Sequence, residues 1–183
     1  MNSNYYKMIM KLLHIKYGKK LLLKGCPVIF NKKGAQMIIG DNVTIKSSFL
    51  SNLVGLYSRT IICTRTPEAK IVIGNNVGIS GATLYARKGI YIGDNTLIGG
   101  NVKILDNDFH PIEVDARNRD DKDAIRSKEI IIGENCFIGC NTLILKGSKI
   151  GARTVVGAGS VVCGEFPEDV VIAGNPAKII KKI

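Results

Sequence analysis

One histidine of this chain lies in a run of residues that could carry out acid–base chemistry. His110 follows Asp106 and Asp108 in the sequence DNDFHP, whereas the second of the two histidines, His14, lies near the N-terminus. An imidazole titrates near neutral pH and can take a proton from a hydroxyl group or return one to a leaving group. The sequence therefore indicates a candidate general base at His110.

The two aspartates before His110 have more than one interpretation. Asp108 could orient the imidazole ring or hold the hydroxyl of an acceptor, and Asp106 is a second candidate for the same task. Either carboxylate could instead bond to its own backbone in a turn, which is a common role of aspartate. The sequence leaves these alternatives open.

The stretch around His110 lacks the repeat that surrounds it. Residues 105–131 are rich in charge and follow no periodic pattern. A loop of this length inside a compact domain is uncommon and is usually functional or disordered. Arg117 could close over an acceptor, whereas for Arg119 pairing with Asp120 or Asp121 at the surface is favoured.

The elements that must position this loop follow a period of six residues. Aliphatic residues recur at every sixth position, and small residues follow them four positions later. A period of six fits neither the helical repeat of about 3.6 nor the alternation of a simple strand, and it predicts a β-helix of very short stacked strands. The generic β-sandwich is disfavoured because its strands are longer and its turns irregularly spaced. The aliphatic series is Ile132, Ile138, Ile144, Ile150, Val156 and Val162, and the small series is Cys136, Thr142, Ser148, Thr154 and Ser160.

Glycine and asparagine occupy the turns between the predicted strands. The segments 40–42, 74–76 and 133–135 read Gly-Asp-Asn, Gly-Asn-Asn and Gly-Glu-Asn. Both residue types tolerate positive φ at low steric cost, and sharp corners require such a backbone. We therefore expect left-handed backbone at these corners.

Composition limits the classes of function. The net charge is +11, but the lysines concentrate at the two ends of the chain and no nucleic-acid motif or aromatic stacking platform accompanies them. Nucleic acid is therefore not an expected partner. Phosphates of a cofactor, or anionic lipid, are alternative partners for this charge.

The cysteines and the N-terminus indicate a cytoplasmic protein. The chain has five cysteines, Cys26, Cys63, Cys136, Cys140 and Cys163, without a CxxC pair. Their odd number and the absence of a signal peptide or membrane-spanning run favour reduced thiols in a cytoplasmic setting.

The chain is predicted to be one domain with three parts. Residues 1–37 form a basic helix and a lead-in segment, residues 38–165 form the β-helix with its inserted loop at 105–131, and residues 166–183 form a C-terminal tail. The helix, expected over about residues 2–24, carries apolar residues among lysines. It either packs against the first coils or attaches to the anionic inner face of a membrane.

The chain resembles the hexapeptide-repeat acyltransferases, and more narrowly the sugar O-acetyltransferases of galactosides, maltose, nodulation factors, capsules and O-antigens. The repeats, the segment DNDFHP and the closing segments GAGSVV (157–162) and AGNPAK (173–178) carry this resemblance. It implies an all-β fold, a left-handed parallel β-helix of hexapeptide repeats. A short N-terminal helix, one extended catalytic loop and a short C-terminal helical tail complete that expectation.

The resemblance also implies an activity and a set of site residues. The expected reaction moves an acetyl group from acetyl-CoA to a sugar hydroxyl of a cell-surface polysaccharide or its precursor. It requires no metal, and His110 is the base with Asp108 beside it. A homotrimer with active sites between subunits is expected. The acceptor would contact Asp106, Tyr85, Arg117 and Phe137, and the cofactor would contact Gly139, Cys140, Ala158, Gly159, Cys163, Lys178 and Lys181.

One position departs from the family pattern. Cys163 and Gly164 stand where many relatives carry threonine and lysine. The usual hydroxyl and ammonium contacts to the cofactor are therefore absent at this point of the chain.

Three alternative functions differ in how well they fit the sequence. N-acetylation of a nucleotide-linked amino sugar is the first, and it depends less on His110 because an amine can be supplied unprotonated. A non-catalytic β-helix scaffold is the second. A zinc carbonic anhydrase is disfavoured because such a site needs about three histidine ligands.

Overall fold

The computed structural model describes residues 3–183, and of residues 3 and 4 the backbone alone. Helix α1 (Ser3–Leu12) is followed by a parallel β-helix of seven coils. The first three coils contain β1 (Lys16–Tyr17), β2 (Leu22–Gly25), β3 (Val28–Phe30), β4 (Gln36–Ile39), β5 (Thr44–Ser47), β6 (Ile61–Thr64), β7 (Lys70–Ile73), β8 (Gly78–Ser80) and β9 (Thr83–Ala86). A 3₁₀ turn, Phe49–Ser51, lies between β5 and β6.

Most strands of the later coils are shorter, and one loop interrupts these coils between the third and fourth of their strands. They contain β10 (Gly89–Ile92), β11 (Leu97–Ile98), β12 (Lys103–Leu105), β13 (Ile130–Ile132), β14 (Phe137–Ile138), β15 (Leu143–Leu145), β16 (Lys149–Ile150), β17 (Val155–Val156), β18 (Val161–Val162), β19 (Glu165–Phe166), β20 (Val170–Gly174) and β21 (Ala177–Lys182). Helix α2 (Val114–Asn118) lies in the loop between β12 and β13.

The strands form three parallel sheets that run the length of the coil. Sheet A takes the first strand of each of the seven coils, sheet B the second, and sheet C the third strand of the first six coils. β21 is added at the end of sheet B, so the three sheets hold seven, eight and six strands. The three edges of this prism are named the A/B, B/C and C/A corners after the sheets they join. Residue pairing is in register from coil to coil; Ile104, for example, lies between Leu84 and Ile144.

The predicted aliphatic series forms the core. All six members, from Ile132 to Val162, are at most 2% exposed and belong to one continuous apolar cluster. The small series is also buried, and hydroxyls such as those of Thr142 and Ser160 donate to the carbonyls of Gly139 and Gly157. The expected positive φ occurs at the asparagine of each predicted corner: 57° at Asn42 and Asn76, and 56° at Asn135.

The N-terminal boundary differs from the prediction. Helix α1 ends at Leu12, because His14 adopts a left-handed φ of 52° and the next amide, Ile15 N–H, bonds back to the carbonyl of Met10. The first coil then begins at Lys16 rather than at residue 38, since β1, β2 and β3 each pair with a strand of the second coil.

The C-terminal helical tail was predicted wrongly. The chain remains in sheet B through Gly174 and then reverses, so that β21 pairs antiparallel with β20. Apolar, β-branched residues favour this ending: Val170 and Ile172 are buried in β20, and Ile179 and Ile180 continue the strand in β21.

Two excursions leave the coil at different corners. Residues 48–60 leave the B/C corner between β5 and β6, and residues 106–129 leave the C/A corner between β12 and β13. Among residues 3–183, no helix is long and apolar enough to span a membrane.

Candidate active site

His110 projects from a tight turn at the C/A corner. Its backbone N–H donates to the carbonyl of Asp108 at 2.7 Å, and Phe109 between them has a φ of 63°. A three-residue turn of this kind is rare and strained for a bulky residue. Backbone strain persists where the surroundings enforce it, and it concentrates at functional sites. The His110 side chain is exposed to solvent.

The neighbouring loop fixes this turn from several sides. The Asn107 side-chain carbonyl accepts the N–H of Phe109 at 2.9 Å, and Asp108 N–H donates to the carbonyl of Arg126 at 3.1 Å. Asn107 also forms an isolated antiparallel bridge with Ser127. Both ends of the loop therefore hold the histidine in place.

Asp106 is a structural residue. Its side chain is fully buried, and its carboxylate accepts the backbone N–H groups of Arg87 at 2.8 Å and of Lys88 and Gly89 at 2.7 Å each. Burial raises the pKa of this carboxyl, although the hydrogen bonds counter the shift. The predicted contact between Asp106 and an acceptor does not fit this arrangement, because the carboxylate already ties the loop to the preceding coil.

Asp108 pairs with a lysine that the sequence did not single out. The Lys146 ammonium binds Asp108 Oδ1, whereas Asp108 Oδ2 is buried and has no hydrogen-bond partner among the described residues. A buried, unsatisfied carboxylate oxygen is costly, so it marks a place where a further donor belongs. Asp108 lies two residues before His110 and belongs to the same turn.

An aromatic cluster packs beside the turn on the outer face of sheet C. The rings of Phe109 and Tyr85 are 4.8 Å apart between centroids. The Arg65 guanidinium lies 5.8 Å from the Tyr85 ring and 5.5 Å from the Phe30 ring. Tyr85 thus packs against Phe109, the residue before His110, and supports this turn. The predicted contact of Tyr85 with an acceptor stays a prediction.

Arg117 supports the chain that follows the histidine. Its guanidinium donates to the carbonyls of Pro111 at 3.2 Å and Ile112 at 2.8 Å, from its place in α2. The predicted contact of Arg117 with an acceptor stays a prediction, since these two bonds use part of its donor capacity.

Phe137 lies on another face of the prism. It is half exposed on the outside of sheet B, in one column with Thr44, Gly78 and Leu97. A groove of about 410 Å³ opens above this column, because Gly78 places no side chain there. The groove extends from Phe137 to Lys46 and reaches Ser80 and Gly99 at the B/C corner.

The predicted cofactor positions divide between corners. Gly139, Cys140, Ala158 and Gly159 share the B/C corner, at the turns after β14 and β17. Gly139 has a packing requirement of its own, since an added Cβ would lie 2.5 Å from the backbone nitrogen of Ala158. Ala158 and Gly159 are exposed.

The remaining cofactor candidates lie elsewhere. Lys178 and Lys181 are exposed on β21, which borders the end of sheet B, and Cys163 is exposed at the C/A corner. One chain therefore brings His110 and Asp108 together at one edge, whereas Phe137 and the Gly139–Cys140 turn lie on a different face and corner.

The first excursion borders the B/C corner with exposed apolar side chains. Asn101 fixes it by donating to the carbonyl of Gly55 at 2.9 Å, and the Tyr57 hydroxyl donates to Asn141 at 3.4 Å. Leu53 is 80% exposed and Tyr57 is 73% exposed. This feature lies beside Cys140 and was not anticipated, because residues 51–67 carry no readable period.

Two of the five thiols, those of Cys63 and Cys136, are buried. Burial raises the pKa of Cys63 to about 11 and also raises that of Cys136, so both thiols stay protonated at neutral pH. Residues 3–183 contain no group of three or more histidine, cysteine, aspartate or glutamate side chains arranged to hold a metal ion.

Comparison with known families identifies the repeat. The family described as bacterial transferase hexapeptide (six repeats) matches residues 129–164, which comprise the coils after the His110 loop. Residues 129–164 therefore share the repeat of the bacterial hexapeptide transferases. The match covers β13 to β18 and the corner that carries Gly139, Cys140, Ala158 and Gly159.

The curated relatives that the chain resembles include sugar acetyltransferases. The galactoside O-acetyltransferase of Lactococcus lactis is 31% identical over 146 residues, which are 79% of this chain and 62% of the relative. The putative lipopolysaccharide biosynthesis O-acetyl transferase WbbJ of Escherichia coli is 42% identical over 98 residues, 51% of this chain and 50% of the relative. The chain thus spans about half to three-fifths of these relatives.

A solved structure shares the fold over the whole chain. A variant of AntD, an N-acyltransferase from Bacillus cereus in complex with dTDP and coenzyme A, aligns with a TM-score of 0.74 at 23% identity. The similarity covers 100% of this chain and 89% of the AntD chain. The predicted left-handed parallel β-helix is confirmed as the fold of this chain.

Proposed function

We propose that the protein transfers an acetyl group from acetyl-CoA to a sugar hydroxyl, within a cell-surface polysaccharide or its precursor. The observation that carries this proposal is the exposed His110 on an enforced, positive-φ turn, in the loop that interrupts a hexapeptide-repeat transferase coil. The named functions of the Lactococcus lactis and Escherichia coli relatives support the choice of a sugar acceptor.

The chemistry assigns both proton transfers to one side chain. The His110 imidazole takes the proton of the sugar hydroxyl while its oxygen attacks the thioester carbonyl carbon. The tetrahedral intermediate collapses with cleavage of the carbon–sulfur bond, and the imidazolium returns the proton to the departing thiolate of coenzyme A. The products are the acetyl ester and the free thiol, and no covalent acetyl-enzyme is formed.

Asp108 is a positioning group in this scheme. Its Oδ1 is held by Lys146, and its unpartnered Oδ2 is free to accept a bond from the imidazole or the acceptor hydroxyl. A carboxylate that accepts from the imidazole N–H fixes the tautomer in which the other ring nitrogen is the base.

The B/C corner suits the cofactor. Its turns at Gly139–Cys140 and Ala158–Gly159 present small residues to solvent, so a pantetheine chain can run close to the backbone. Lys178 and Lys181 on β21 provide cations for the nucleotide phosphates of coenzyme A. The groove beside Phe137 would then receive the acceptor.

The placement of these groups supports a homotrimer with a shared active site. His110 lies at the C/A corner and the cofactor turns lie at the B/C corner, so the base of one copy can meet the thioester bound to another. The exposed apolar residues of the first excursion, including Leu53 and Tyr57, border that corner and suit contact with a neighbouring copy.

Helix α1 supports peripheral contact with an anionic membrane. Its inner face packs through Met10, whereas Tyr5, Met8 and Leu12 are exposed on one outer face with Lys7 and Lys11 nearby. Flotation with anionic liposomes tests this contact. A variant with Met8→Ser and Leu12→Ser should stay with the unbound fraction, and equal flotation of variant and native protein would rule the contact out.

N-acetylation of a nucleotide-linked amino sugar is the second candidate. AntD, which shares the fold over the whole chain, is an N-acyltransferase solved with dTDP. An amine attacks without losing a proton first, so this reaction would tolerate the loss of His110 better than O-acetylation.

Thiol release from acetyl-CoA tests the proposal. The purified protein is supplied with acetyl-CoA and matched pairs of acceptors, such as methyl glucoside and glucosamine, together with fragments of surface glycans. Thiol release with hydroxyl acceptors is the expected result. Release with amines alone would favour the second candidate, and failure to bind coenzyme A would favour a non-catalytic scaffold.

A further inference from the structure

The sheet B groove ends on a lysine that no assigned role explains. Lys46 lines the groove at the end remote from Phe137 and is half-buried there. In the register of sheet B it lies between Lys24 and Ser80, so two lysine positions adjoin along the same column. The outer face of the sheet is thus positively charged at this end of the groove.

These lysines lack a carboxylate partner in the described part of the chain. The ion pairs of residues 3–183 lie in the His110 loop or the last coils, and none involves Lys24 or Lys46. The other polar side chains that line the groove are neutral: Asn42, Thr44, Asn76 and Ser80. A half-buried ammonium beside neutral groups in a concave site suits an anionic ligand.

The length of the groove along sheet B determines where an anion bound by Lys46 would lie relative to Phe137. Lys46 on β5 and Phe137 on β14 are three strands apart, and neighbouring strands lie about 4.8 Å apart. The groove therefore spans roughly 14 Å from the level of the Gly139–Cys140 turn to Lys46. This span exceeds a single hexose ring, so the anion must lie beyond the ring that receives the acetyl group.

We infer that Lys46, assisted by Lys24, forms a subsite for a phosphate or diphosphate attached to the acceptor sugar. The acceptor would then be a glycosyl phosphate or diphosphate rather than a free neutral sugar. The inference rests on the proposed function, since it takes the groove as the acceptor site. A carboxylate on the next sugar of a chain offers the same charge, and the test separates the two sources.

Direct binding tests this inference without requiring turnover. Dissociation constants are measured by saturation-transfer NMR for methyl glucoside, glucose 1-phosphate, UDP-glucose and methyl glucuronoside, and for the same series built on galactose. We expect at least one phosphorylated form to bind about tenfold more tightly than its neutral counterpart, with an affinity that falls as salt is added.

Two variants test whether Lys46 is the lysine that binds the phosphate. Lys46→Met should reduce the affinity for the phosphorylated probe about tenfold and leave the neutral methyl glycoside within twofold. Lys33→Met removes an exposed lysine outside the groove and is the matched control, which should bind every probe as the native protein does. A thermal unfolding curve confirms that each variant is folded.

Several outcomes would overturn the inference. They are equal binding of phosphorylated and neutral probes, equal losses for both in Lys46→Met, and preference for the glucuronoside over both phosphorylated forms. The proposed function fails separately, because it is lost when acetyl-CoA does not bind or releases no thiol with any acceptor.

Discussion

At the scale of single residues, the structure separates two aspartates that the sequence could not distinguish. Asp106 accepts three backbone N–H groups in the interior, whereas Asp108 meets Lys146 and keeps one buried oxygen unpartnered. The difference depends on partners far along the chain, since Lys146 lies 38 residues from Asp108. The position of His110, by contrast, was readable from the sequence, because the repeat breaks around it.

Lys146 is expected to act through Asp108, and conservative replacement tests that role. Lys146→Met leaves the Asp108 carboxylate unpaired, so we expect kcat for acetyl transfer to fall by roughly tenfold while the KM for acetyl-CoA stays within twofold. Lys146→Arg keeps the charge and should recover most of kcat. Equal losses in both variants, or a loss confined to thermal stability, would contradict a positioning role.

At the scale of elements, the six-residue period predicted the coils from Ile132 to Val162. It predicted neither the first coil of the β-helix nor its C-terminal strand. Ile132 to Val162 repeat because each coil face needs one inward side chain at a fixed interval. The first coil was missed because segments such as Gly18–Leu21 lack the Gly-x-Asn corner. The sequence did not predict the reversal into β21. Ile179 and Ile180 lie among lysines, and a short helix can show the same mixture of apolar and basic residues.

An ion pair between the last two coils should make stability depend on pH. Hydrogen bonds from Arg153 lower the pKa of the Asp169 carboxyl below its ordinary value. The pair therefore contributes stability above the unfolded pKa of about 3.9, and this contribution is lost as the pH falls through the lowered value.

The prediction is checked by urea unfolding at several pH values. Asp169→Asn removes the charge and suits the left-handed φ of 59° at this position. Between about pH 5 and pH 2, the urea midpoint of the native protein should fall further than that of the variant. Parallel curves would show that the Arg153–Asp169 pair adds no stability.

At the scale of the whole molecule, the site residues lie on two corners of one prism. The sequence predicted both groups of residues but not their separation, because the distance between corners depends on the complete coil. Residues 51–67 also had no readable pattern, although they include most of the apolar excursion beside Cys140. The proposed trimer accounts for both features, since a neighbouring copy would meet this corner.

Mixing two inactive variants tests the shared site. His110→Ala removes the base, and Ala158→Trp blocks the exposed cofactor turn. Each alone should be inactive, but co-refolded chains should regain about a quarter of native activity, since random assortment pairs an intact His110 with an intact turn at that frequency. A mixture without activity, with native-like mass in solution, would place each site within one chain.

His110 is proposed as the general base of acetyl transfer to a hydroxyl, and a comparison of three proteins checks this role. Thiol release from acetyl-CoA with the best hydroxyl acceptor is measured for the native protein, for His110→Ala and for His14→Asn. The control replaces the second histidine with a residue that tolerates its left-handed backbone.

We predict that kcat/KM falls by about 10²–10⁴-fold in His110→Ala, with an unchanged dissociation constant for acetyl-CoA, and stays near native in His14→Asn. A folded His110→Ala protein that retains more than about a tenth of native kcat/KM would contradict the account.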